Sequence, residues 1–110
     1  MDLFKKLTAV QDDVYFTKTF QDIIETHLLY LNNERFVEVK QITPYLSLKY
    51  RGDFYGLLLE LKIDRIAHYA SLRINGLTNP FDYDGQENFI RVVNAGVLVG
   101  LYDLTRTEFQ

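Results

Sequence analysis

The chain has 110 residues, 47% hydrophobic and 25% charged, a balance that buries one core without a disulfide or metal staple and suits a single domain over residues 1–110. With no Cys, disulfides, thiolate metal sites and cysteine nucleophiles are excluded, and two His are too few for most zinc sites. A formal net charge of −3 is a poor match for a phosphate backbone, so no nucleic-acid partner is expected.

Residues 1–13 place Leu3, Phe4, Leu7 and Val10 at helical spacing and end in Gln11, Asp12 and Asp13, a turn or the cap of the next element. This is an N-terminal arm that packs on the domain or orders on a partner. It holds no apolar run long enough for a signal peptide, and no window approaches the roughly 20 apolar residues of a bilayer span, so a soluble protein made in the cytosol, without a membrane partner, is expected. Over residues 16–31, Phe16, Phe20, Ile23, Ile24, Leu28 and Leu31 form one stripe of period 3.6, which predicts an amphipathic helix stopped by Asn32 and Asn33. Residues 35–42 alternate, with Val37 and Val39 expected on the buried side and Glu38 and Lys40 in solvent, and Pro44 ends the strand. The following PYLSLKY fits a strand or a helical turn equally well.

Arg51 and Gly52 make a turn, after which Asp53 is a good N-cap for a short helix carrying Phe54, Leu57, Leu58 and Leu61 to about Lys62. Gly56 inside it suggests a close approach by another backbone. Asp64 is expected to cap a second short helix through Ile74, with Gly76 as its left-handed stop. Thr78, Asn79 and Pro80, then Asp82, Tyr83, Asp84 and Gly85, are turn chemistry, with Phe81 between them as a buried plug. Residues 88–93 and 97–102 are apolar runs joined by Asn94, Ala95 and Gly96, which predicts a hairpin followed by a free polar tail within residues 94–110.

No constellation of catalytic residues stands out. Arg51-Gly52-Asp53 spells an integrin tripeptide, but a Gly turn followed by an Asp cap explains the same letters. Asp82, Asp84, Glu87 and Asn88 offer oxygen ligands without the order of a calcium loop. Asp64 and His68, at i and i+4, share a helix face and make a weak candidate for a metal-assisted enzyme, while His27 sits beside the first stripe as a packed residue. A non-enzymatic protein without a cofactor or metal is expected. Eight Tyr and eight Phe in so short a chain suit subunit interfaces as well as a core.

Read together, ITPYLSLKYRGDFYGLLLEL and HYASLRINGLTNPFDYDGQENFIRVV resemble the small baseplate wedge proteins of contractile-tailed bacteriophages, whose C-terminal region is related to the LysM fold. Tyr50, Gly52 and Asp53 match that family's first turn, Tyr55 its favoured aromatic, and Asn75, Gly76, Asn79, Pro80, Phe81 and Gly85 its second. The resemblance implies an α+β fold: a small βααβ LysM-like unit over residues 36–93, with an added N-terminal amphipathic helix and a C-terminal hairpin strand. It implies a structural virion protein, a tail baseplate wedge subunit present in multiple copies and contacting other virion proteins, found in the virion and in host cytoplasm during assembly. Two alternatives follow from the same kinship: a neck or head-to-tail connector, and a LysM-like module binding peptidoglycan.

Overall fold

The computed structural model describes residues 17–108, with side chains to Leu104; the expected arm over residues 1–13 and Phe16 lie outside them. The elements in order are α1 (Lys18–Thr26), α2 (Leu28–Leu31), β1 (Val37–Gln41), α3 (Pro44–Lys49), α4 (Phe54–Glu60), a 3-10 turn (Arg65–Ala67), α5 (His68–Ile74), a second 3-10 turn (Pro80–Asp82), β2 (Phe89–Val93) and α6 (Ala95–Glu108). The two strands pair antiparallel into a sheet flanked by helices, an α+β arrangement. Among the described residues no helix is long and apolar enough to cross a membrane.

The predicted first helix is present but broken. Thr17 caps α1 by accepting from Phe20 N–H at 3.2 Å, and the stripe buries Phe20, Ile24 and Leu31. At His27 the backbone leaves the helical region (φ −109°, ψ 20°), and the imidazole Nδ1–H donates to Ile23 O at 2.8 Å. That carbonyl also accepts from His27 N–H, so the side chain competes for the bond that would carry the helix through.

PYLSLK is helical because Thr43 accepts from Leu46 N–H at 3.1 Å and Pro44 occupies the first helical position, where its missing N–H has no partner to lose. Three helices therefore lie between the strands, one more than the expected βααβ order. The expected hairpin strand over residues 97–102 is part of α6. Asn94 caps it, accepting from Gly96 N–H at 2.7 Å and Val97 N–H at 3.3 Å, so the supposed loop is a helix start. An unbroken apolar run carries no period of its own; here Leu98 and Leu101 bury a helical face, and the expected free tail continues the same helix to Glu108.

The core has two parts. Phe20, Ile24, Leu31, Ile66, Ala67, Ala70, Val93, Leu98 and Leu101 pack between α1, α2 and α6. Ile42, Phe54, Leu57, Leu58, Leu72, Tyr83, Ile90 and Val92 pack between α4 and the sheet. Helix α5 divides them, giving Ala70 to the first and Leu72 to the second. It ends in two left-handed-turn bonds, Gly76 N–H to Arg73 O (3.0 Å) and Leu77 N–H to Leu72 O (3.2 Å), with Gly76 at φ +81° as its sequence predicts. Glu25 of α1 ties to it from outside, accepting from Tyr69 Oη–H at 2.8 Å and Arg73 Nε–H at 2.7 Å. Burial raises the Glu25 carboxyl, but these two bonds outweigh it and hold the group below its ordinary value.

The sheet is attached to α5 by its edge. Ser71 Oγ accepts from Val93 N–H at 3.1 Å; Asn75 Oδ1 accepts from Arg91 N–H at 3.0 Å and Asn75 Nδ2 donates to Arg91 O at 2.7 Å and to Ser71 O at 2.6 Å. Val93 and Arg91 thus turn their backbone groups away from β1, and the ladder bonds run through the alternate pairs, continued by Asn94 N–H to Phe36 O and Ile42 N–H to Asn88 O. The register also corrects the orientation of β1. Glu38 lies opposite Val92 and Lys40 opposite Ile90, on the face where β2 buries its side chains, yet they remain 69% and 36% exposed and pair with each other at 2.9 Å. Val39 lies opposite Arg91 on the open face and is 57% exposed. Alternation identified the strand; which face is buried is decided by the partner strand.

Replacing Ser71 with Ala strands one backbone N–H, at about 1–3 kcal/mol, whereas Asn75→Ala strands both the N–H and the C=O of Arg91 and is expected to destabilise more. Urea denaturation of the two variants checks the order.

Candidate functional site

Seven of the residues that carry the family resemblance meet where two turns dock. After α3 the chain reverses through Tyr50, Arg51 and Gly52, the glycine at φ +77°, and Asp53 N–H donates to Tyr50 O at 2.8 Å. Asp53 then caps α4 by accepting from Gly56 N–H at 3.0 Å, the role expected of the tripeptide's aspartate. A Cβ on Gly56 would collide with that same carboxylate, so the close approach inferred there comes from the capping side chain rather than from another backbone. In the second turn Asn79 Oδ1 accepts from Phe81 N–H at 3.0 Å, Pro80 opens the 3-10 turn, and Gly85 takes φ +73°.

Gly52 N–H donates to Tyr83 O at 2.8 Å and so joins the turns directly. The Tyr83 hydroxyl meets Ser47 Oγ of α3, its ring packs against Phe54 with centroids 5.5 Å apart, and burial pushes its phenol up. At Gly85 a Cβ would stand 2.9 Å from Arg51 Cβ and 3.2 Å from Ser47 O, so only glycine fits both the conformation and the space.

The plug is therefore Tyr83 and not Phe81. The Asn79 cap and 3-10 turn direct Phe81 outward, leaving it 77% exposed, while Tyr83 two residues later is 3% exposed. Beside this platform α3 presents Tyr45 (76% exposed) and Leu48 (58% exposed), one helical turn apart, to solvent. Asn75 and Gly76 stand apart at the end of α5. Asn75 and the second turn share the walls of a pocket of about 220 Å³ lined also by Phe54, Leu77 and Arg91. Tyr55 is not brought to the turns; it stacks on His68 at 5.5 Å, in the seam of α4 and α5.

Asp64 is exposed and its side chain caps nothing. His68 is buried, its Nε2–H donating to Ile63 O at 3.0 Å, and no hydrogen bond joins it to Asp64. Asp82, Asp84, Glu87 and Asn88 are all exposed, and no three described His, Asp or Glu are placed to hold a metal ion. Ser47, which locks the turns, and Ser71 are absent from the sequence reading, and Tyr83 enters it only as a turn residue and not as the buried lock. The two serines are polar side chains set within otherwise apolar helical runs, whereas Tyr83 follows the second 3-10 turn and carries no such signal.

No protein-family model matches this sequence, and neither a curated protein nor a solved structure matches it.

Two outcomes test the local physics. Gly76 has open space about it, so Gly76→Ala carries only the left-handed penalty of about 1 kcal/mol, whereas Gly85→Ala must also displace Arg51 and the Ser47 carbonyl and lowers the unfolding free energy further. Burial holds the His68 imidazole below its ordinary value against the opposing bond to Ile63. The unfolded chain then takes up a proton first as pH falls, so stability present above the ordinary imidazole value declines as pH drops through it towards the lowered folded value. Thermal midpoints should fall from about pH 7 to about pH 5, with a shallower slope in His68→Gln.

Proposed function

We infer that this chain is a structural, non-enzymatic subunit of a contractile phage tail baseplate, acting through interfaces with other virion proteins. The observation that carries this reading is the exposure of Phe81, Tyr45 and Leu48 on a platform whose backbone is held by Gly52, Gly85 and the Ser47 to Tyr83 contact. Large apolar side chains on a rigid support lose little freedom on docking, which is what interface anchors require. The resemblance of the two turns to the baseplate wedge family supplies the setting. A connector in the neck would use the same chemistry and differs only in its place along the tail.

The test is made on particles. Virions purified from producing cells should contain the polypeptide, and labelling in electron micrographs should place it at the baseplate; particles without it would remove the reading. The double substitution Leu48→Ser with Phe81→Ser should leave the thermal midpoint nearly unchanged, because both side chains are solvent-exposed, while sharply reducing incorporation into particles. Retention of the free chain on cell-wall sacculi would instead favour the peptidoglycan-binding alternative.

A further inference from the structure

Among the described residues the sheet has one edge closed and one open. Because Val93 and Arg91 face Ser71 and Asn75, the parity of the ladder turns the N–H and C=O of Val37, Val39 and Gln41 to the far edge of β1, where no described residue hydrogen-bonds to them. Such an edge is a template for another strand. The geometry points to a second copy of this chain as its occupant, pairing β1 against β1 across a two-fold axis at Val39 to give one four-stranded antiparallel sheet.

The residues of β1 select this partner and this register. With Val39 opposite its own copy, Val37 faces Gln41 of the second copy, so every outward-facing backbone pair meets another and exchanges two hydrogen bonds. In the intervening positions, where side chains approach most closely, Glu38 of each copy stands opposite Lys40 of the other. Sliding the pairing by two residues in one direction sets Glu38 against Glu38, and in the other sets Lys40 against Lys40; sliding by one puts the hydrogen-bonding groups out of phase. Opposite charges two residues apart therefore deter an unrelated strand while fitting a second copy. The exposed Val39 side chains come together on the open face, and a two-stranded sheet, marginal in isolation, gains two more strands. This pairing does not rest on the baseplate reading and holds for the chain alone.

Sedimentation equilibrium of the full chain, from micromolar to millimolar concentration, should show a reversible dimer. Lys40→Glu leaves two acidic residues on each edge and Glu38→Lys two basic ones; each variant alone should dimerise roughly tenfold or more weakly. Mixed in equal amounts, the two should restore dimerisation as a heterodimer. Val39→Pro removes only an outward N–H, compatible with an edge strand, and should be monomeric with an unchanged circular dichroism spectrum. The inference is overturned by a wild-type chain that stays monomeric throughout, by a dimer that Lys40→Glu and Val39→Pro leave intact, or by charge variants that fail to pair when mixed.

Discussion

The arrangement depends on a match of two lengths. Ser71 and Asn75 are four residues apart on a helix, about 6 Å along its axis, and Val93 and Arg91 are two residues apart on a strand, about 6.6 Å. Because these steps nearly agree, a helix can lie along β2 and satisfy consecutive outward-facing residues with consecutive turns. Once α5 is held there, its other faces are committed: Ala70 towards α1 and α6, Leu72 towards α4. The division of the core into two clusters follows from that placement.

The remaining ties to α5 differ in kind. Glu25, Tyr69 and Arg73 lie near the surface, and their attraction is weakened by salt, although burial together with the neighbouring carboxylate pushes the Tyr69 phenol up to about 12. Ser71 and Asn75 bear no charge and titrate nowhere, so the attachment of the sheet is indifferent to pH and ionic strength. The docked turns are uncharged at their contacts as well, resting on two positive-φ glycines and one hydroxyl pair.

What was legible in the sequence was what neighbouring residues decide among themselves. The stripe in α1, the Asp53 cap and the left-handed Gly76 each depend on a few adjacent positions, and each is found where its pattern placed it. The misreadings share another origin. Val39 lies on the open face because Ile90 and Val92, some fifty residues away, set the core face of the sheet, although no side chain of β1 is itself buried. Phe81 was exchanged with Tyr83 because the choice between two aromatics in one turn depends on Ser47 and Phe54. The run from Val97 to Tyr102 does not show its helical state in its spacing, because the packing of Leu98 and Leu101 against α1 and the first 3-10 turn makes it helical. The break at His27 is the local exception, since an imidazole reaching its own preceding turn leaves no mark on hydrophobic periodicity.

Asn75 has a further consequence. Its amide donates to two carbonyls and accepts from one N–H, an assignment that works in only one orientation, and so it serves β2 as a peptide group of a third strand would. Aspartate would lack the donors, and glutamine would carry the amide one methylene too far. Growth of the sheet is thereby terminated on that side by chemistry rather than by bulk. A sheet with two free edges can add chains without limit and run to a filament; one with a single free edge admits one partner strand and is then complete.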